Sequence, residues 1–230
     1  MQLVHVINRG VDKRKIFMDD KDYIRFIHDM FEFNDTEPVQ INLNYYLQKS
    51  SDVGRLNIGT EKQEQRKPRK LLVDILAFCL MPNHYHLLLS PKVENGIALF
   101  IKKLNGGYAK YFNARYKRSG ALFQGKYKRV IIKDEAHFIH LPYYIHFNPL
   151  DLFMPSWRER EIKNHKRAVE FLEQYRWSSH LDYLGKKNFP SVTQRGFLLE
   201  FFSGSENYKK SIKNWLKDLD ISSIKDWVLE

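Results

Sequence analysis

Met81-Pro82-Asn83-His84-Tyr85-His86-Leu87-Leu88-Leu89 is the stretch on which the reading of the chain turns. Its apolar approach, Leu72 to Leu80, and its apolar exit, within Tyr85 to Ser90, are short and rich in β-compatible residues, so they read as two strands joined at Pro82-Asn83. Side chains alternate across a strand, so His84 and His86 should share one face while Tyr85, Leu87 and Leu89 anchor the other in a core. Two imidazoles side by side on a rigid strand can hold a divalent metal. The same pattern also fits two hydrogen-bonded histidines on a sheet, and the pair alone does not choose between them.

Working outward, Leu3 to Asn8 alternates as a first strand ended by Arg9-Gly10, and Asp19/Asp20 can cap a helix from about Lys21 to Phe33 that covers the sheet. Leu99, Ile101, Leu104, Tyr108, Tyr111 and Phe112 recur at helical spacing, predicting a helix over about Gly96 to Tyr116. Gly106-Gly107 weakens it by roughly 1–2 kcal/mol, tolerable where the backbone must flex or be closely approached. Val130-Ile131-Ile132 reads as a fourth strand, so strand, helix, hairpin, helix, strand describes an antiparallel α+β sandwich with helices on one face. Asp134-Glu135 begins a further helix to about Phe147, where Pro142 demands a kink or a fresh start.

Residues 1–150 therefore form the expected core, with a long excursion at 34–70 that holds a possible small strand at Asn42 to Leu47 and a charge run at Glu61 to Lys70. Residues 151–230 read as a helical extension packed on the core, with helices at Trp157 to Glu173 and Ser205 to Leu219. The single cysteine, Cys79, excludes an intramolecular disulfide and sits in an apolar strand as a packed thiol. No apolar run is long enough to span a bilayer and no leader is visible, so a cytosolic protein with no membrane partner is the expectation.

Charge narrows the function. The formal net charge is +11, and the segment from Ile101 to Lys133 holds ten Lys/Arg with no Asp or Glu. Tyr108, Tyr111, Phe112, Tyr116, Phe123 and Tyr127 interleave with those cations. Cations that neutralise phosphates, mixed with rings on which bases stack, suit single-stranded or irregular nucleic acid. The contacts expected are Arg9, Lys110, Arg115, Lys117, Arg118, Gln124, Lys126, Lys128 and Arg129. A solvated basic helix whose aromatics merely pack inward is the plain alternative.

Tyr144 and Asn148 are four apart, hence neighbours on a helix face. A phenol beside a His-bound divalent ion, Mg²⁺ or Mn²⁺, is a candidate nucleophile for phosphoryl transfer, because the ion polarises the phosphate and offsets its developing charge. The phosphotyrosine bond would conserve the energy of the diester, so rejoining needs no nucleotide cofactor. Asn148 could add a neutral oxygen ligand. Packing alone also accounts for Tyr143, Tyr144, His146 and Phe147, with Asn148 as a helix stop.

His84-Tyr85-His86, Tyr111-Phe112-Asn113-Ala114-Arg115-Tyr116 with Gly120 to Lys128, and Tyr144-Ile145-His146-Phe147-Asn148-Pro149 together resemble the REP-associated tyrosine transposases, relatives of single-strand insertion-sequence transposases within the HUH endonucleases. Asn8-Arg9-Gly10, Ile16-Phe17 and Tyr175-Arg176-Trp177-Ser178-Ser179 are similar to family patterns as well. The resemblance implies a ferredoxin-like core, His84 and His86 as metal ligands, Tyr144 as nucleophile and Asn148 as third ligand. It also implies cutting of single-stranded DNA beside REP-like palindromic hairpins through a 5′-phosphotyrosine link. Two positions depart from the pattern: Pro142 in the nucleophile helix, and Tyr143 where arginine is more common. A hairpin-binding regulator that no longer cuts, and a metallohydrolase that uses only the histidines, stay open, as does the choice between monomer and dimer.

Overall fold

The structure is a computed structural model that describes residues 2–38, 68–132, 135–159 and 161–218. Among them, strands β1 (Leu3–Arg9), β2 (Val73–Met81), β3 (His84–Pro91) and β4 (Lys128–Ile132) form one antiparallel sheet in the order β2-β3-β1-β4. Helix α1 (Asp20–Glu32) lies between β1 and β2 in the chain, and α2 (Gly96–Arg115) between β3 and β4. This connectivity and strand order are the ferredoxin-like arrangement. The expected strand at Asn42 to Leu47 and most of the charge run at Glu61 to Lys70 lie outside the described residues.

One face of the sheet is sealed by α1 and α2. Asp19 caps α1, its carboxylate accepting from the backbone N–H groups of Lys21 and Asp22. Tyr23, Phe26, Ile27 and Met30 then pack on Val6, Tyr85, Leu87 and Leu89 together with Phe100, Leu104 and Tyr108 from α2. Gly107 shows why the helix accepts a glycine there: a Cβ would lie 2.4 Å from the Phe33 ring. Close approach, not flexibility, is the reason.

The opposite face is not bare. Helix α3 (Glu135–Phe147) and the residues after it cover it, with Leu3, Cys79, Met81 and Leu88 of the sheet packed on Leu141, Tyr144, Ile145, Phe147 and Trp157. Helices thus lie on both faces, the core pair on one side and α3 with the extension on the other. Pro142 sits inside α3, which runs as one helical span and does not restart there. Its cost of about 3 kcal/mol is outweighed by burying Leu141, Tyr143, Tyr144, Ile145 and Phe147, each worth roughly 1.5–3 kcal/mol.

The extension differs from its sequence reading. The helix expected at Trp157 to Glu173 is instead a 3-10 turn, Pro155–Glu159, followed by α4 (His165–Gln174). The break follows from Asn164, whose side chain accepts from the Arg167 backbone N–H and starts α4 afresh. Helices α5 (His180–Tyr183), α6 (Gly196–Phe201) and α7 (Ser205–Asp218) complete it. Between α4 and α5 the chain runs along the outer edge of β2: Leu80 N–H donates to Trp177 O at 2.8 Å, Ser179 N–H to Phe78 O at 3.0 Å, and Phe78 N–H to Ser179 Oγ at 2.9 Å. Further along, Ile75 N–H donates to Gln194 Oε1 and Gln194 N–H returns to Ile75 O. An edge that would otherwise offer unpaired backbone to another strand is closed. None of the described helices is long and apolar enough to cross a membrane.

Candidate active site

The β2-β3 register puts His84 opposite Met81 and His86 opposite Cys79, while β1 sets Arg9 opposite His84 and Ile7 opposite His86. Both histidines therefore project from the face that α3 covers, as their alternation required. Their rings meet edge-on with centroids 4.9 Å apart. His84 Nδ1 lies 2.6 Å from Asn83 Oδ1. An amide oxygen only accepts, so the ring proton sits on Nδ1 and the Nε2 lone pair is left for another partner. His86 Nδ1 shares a 3.0 Å hydrogen bond with His5 Nε2, and the two rings stack at 5.3 Å.

The remaining nitrogen of each ring, His84 Nε2 and His86 Nε2, is buried with no hydrogen-bond partner among the described residues. Both rings are kept neutral. Burial pushes His84 down to about 4, with the Arg9 charge acting in the same direction and Asp151 opposing it. Burial, then the neighbouring His84 and His5, pushes His86 well below the ordinary histidine range. Two neutral imidazoles, each with one nitrogen tied to a neighbour and the other orphaned, have the chemistry of metal ligands held by outer partners. Among the described residues no group of three or more His, Cys, Asp or Glu is placed to hold an ion.

Helix α3 brings Tyr144 to this pair. Its ring packs edge-on against His86 at 5.8 Å and His5 at 6.1 Å. Tyr143, the neighbour in sequence, faces away and stacks on Tyr208 and Trp215. Asn148 begins the 3-10 turn Asn148–Leu152 and its Nδ2 donates to Tyr144 O at 2.8 Å, closing the helix end. Its Oδ1 accepts from Arg158 at 3.2 Å. The oxygen expected to serve as third ligand is thus turned toward a guanidinium.

Sequence reasoning missed His5, Arg158 and Asp151. Arg158 donates to both oxygens of Asp151, at 2.8 and 2.6 Å, and to Tyr144 Oη at 3.3 Å. Asp151 also accepts from Trp157 Nε1 at 2.6 Å. For His5 a signal existed, since alternation along β1 places Leu3, His5 and Ile7 together. For the Arg158–Asp151 pair none did.

Behind the site, α3 is tied down by a buried polar chain. His146 Nδ1 lies 2.7 Å from Tyr208 Oη and its Nε2 2.8 Å from Ser179 Oγ, while His180 Nδ1 lies 2.8 Å from the same Tyr208 oxygen. Burial keeps both rings neutral, lowering His180 to about 4 and His146 well below the ordinary value. The Tyr175 to His180 motif therefore does two jobs, closing the sheet edge and bracing the helix that carries Tyr144.

The expected DNA-contacting residues separate into groups. Arg9 lies at the strand end beside His84, and the loop before β4 joins it there through Gln124 N–H to Arg9 O and a Gly10–Phe123 bridge. Gln124 and Lys126 are exposed on that loop, and Lys128, opposite Ile7, projects on the histidine face. Arg129 is exposed on the other face of the same edge strand. Lys110 and Lys117 are exposed on and just after α2, across the sheet from the histidines. Arg118 donates to Asn113 Oδ1. Arg115 is committed to Asp19 and Asp22, at 2.6 and 2.7 Å, which makes it a tie between α1 and α2.

Residues 60–148 match the family model described as Transposase IS200 like. That segment contains β2, β3, α2, β4 and α3, and ends on Asn148. Among solved structures, one of a REP-associated tyrosine transposase bound to a REP hairpin aligns at a TM-score of 0.48 with 11% identity, covering 83% of each chain. No curated protein sequence matches.

Proposed function

We propose, taking the IS200-like transposase match over residues 60–148 as the premise, that this chain cleaves and rejoins single-stranded DNA beside hairpin repeats, with Tyr144 as the nucleophile. The observation that carries the reading is the meeting of Tyr144 with His86 and Arg158 next to two buried imidazole nitrogens without a hydrogen-bond partner among the described residues. Those nitrogens fit a divalent ion such as Mg²⁺ or Mn²⁺, with His84 and His86 as its protein ligands. When bound, such an ion supplies Lewis-acid polarisation of the phosphate.

The chain's own residues do the rest. His5 and Asn83 orient the two imidazoles, and α3, braced through His146, aims the phenol. Arg9, Gln124, Lys126 and Lys128 border the strand end that carries His84 and form a basic rim for the DNA backbone, while base stacking and shape would supply hairpin recognition. Attack by Tyr144 Oη would leave the DNA joined through its 5′ phosphate and release a 3′ hydroxyl, and reversal by that hydroxyl would reseal the strand.

One observation favours the rival reading of a hairpin-binding regulator without cleavage: Tyr144 is fully buried. The two part in a single assay. Wild-type protein with labelled single-stranded hairpin substrate and Mn²⁺ should form a denaturation-resistant adduct that chelator prevents, and Tyr144→Phe should bind the hairpin without forming it. Hairpin binding with no adduct in the wild type selects the regulator. An adduct that persists in Tyr144→Phe removes this residue from the chemistry.

A further inference from the structure

Arg158 joins the buried phenol of Tyr144 to the partly exposed Asp151. Tyr144 is 0% exposed, whereas the Arg158 and Asp151 side chains keep 22% and 26% of their surface. Two kinds of bond stand out among the guanidinium's contacts. Those to Asp151, at 2.6 and 2.8 Å, are short and charge-assisted. Those to Asn148 Oδ1 and Tyr144 Oη, at 3.2 and 3.3 Å, are long and go to neutral acceptors. The Nη1–Nη2 edge of the fork therefore includes two long bonds to uncharged groups at a place where a phosphate would be a far stronger acceptor, while Asp151 anchors the group.

Resting on the assignment of Tyr144 as nucleophile, we propose that Arg158 is the binding residue for the scissile phosphodiester. Two non-bridging phosphate oxygens replace Tyr144 and Asn148 as acceptors of Nη1 and Nη2, and the Asp151 bonds persist. The exchange releases Tyr144 Oη and Asn148 Oδ1 from the guanidinium together and seats the phosphorus beside the phenol. Tyr144 Oη then bonds to phosphorus as the bond to the 3′ oxygen breaks. The phenolic proton passes to solvent and the departing oxygen takes one up, so no co-reactant is consumed. Arginine suits this place because its planar fork matches two phosphate oxygens and stays charged throughout.

The test uses the full chain, a hairpin substrate with its single-stranded flank, and Mn²⁺, reading adduct rate at saturating DNA, hairpin affinity and melting temperature. Arg158→Gln should slow adduct formation about 10²-fold with a much smaller loss of hairpin affinity, that of one phosphate contact, and Arg158→Lys should recover part of the rate. Added guanidinium ion should restore Arg158→Ala but not Tyr144→Phe. Wild-type rates in Arg158→Gln overturn the proposal, as does a loss in folded protein that neither lysine nor guanidinium relieves. If Arg158→Ala does not fold, Asp151→Asn carries the test, since it leaves the guanidinium present but unanchored: a slower rate supports the proposal and a wild-type rate overturns it. A wild type that forms no adduct fails at the earlier step, the role of Tyr144 itself, and takes this proposal with it.

Discussion

Replacing His5 by phenylalanine isolates the support beneath the histidine pair. Phenylalanine keeps a ring stacked on His86 but removes the nitrogen 3.0 Å from His86 Nδ1. That leaves a fully buried polar atom without this partner, at a cost of about 1–3 kcal/mol. For a protein of this length the melting temperature should fall by roughly 2–12 °C. The larger effect is expected on metal binding, because losing an outer partner typically weakens affinity by about 10–100-fold. At an ion concentration about 100 times the wild-type Kd, Mn²⁺ should stabilise the wild type by about 2.7 kcal/mol and the variant by only about 0.4–1.4 kcal/mol. Melting curves across a Mn²⁺ titration measure both quantities. A variant that loses basal stability but keeps the full metal-dependent increment would refute the role given to His5.

Two more expectations follow from charge and burial. Hairpin DNA should bind with a steep salt dependence, and neutralising Lys126 and Lys128 together should reduce the slope of log K against log salt by about 2; an unchanged slope would place the DNA elsewhere. His84 and His180 are held down at about 4, and His86 and His146 well below the ordinary value, so between about pH 6.5 and pH 4 the unfolded chain binds protons that the folded chain does not. Stability of the metal-free protein should therefore fall with pH across that window, by up to about 1.4 kcal/mol per pH unit for each such histidine, and a melting temperature constant from pH 7 to pH 5 would contradict the buried neutral rings.

Much of this was legible because it rests on local rules. Alternation placed His84 and His86 on one face and Tyr85, Leu87 and Leu89 on the other, and Asp19 announced the start of α1. What escaped depended on contacts between distant segments. His5 reads as one more residue of an alternating strand until the β1-β3 pairing sets it beside His86. Arg158 lies in a charged stretch of helical composition, and only its pairing with Asp151 and the fresh cap at Asn164 turn that stretch into a cover over Tyr144. Pro142 forces no fresh start for the complementary reason, since its local penalty is smaller than the burial gained by its neighbours. Composition marked the basic segment but could not tell that Arg115 would be drawn into the α1–α2 tie.

The central claim, that one phenolic oxygen forms the bond to DNA, is tested most directly by locating the bond. Wild-type protein allowed to react with single-stranded hairpin substrate and Mn²⁺, trimmed with nuclease and digested with protease, should yield a peptide whose added 5′-nucleotide mass maps by fragmentation to Tyr144. The same mass on Tyr143, which stacks against Tyr208 on the far side of the helix, or cleaved DNA with no modified peptide, would contradict it.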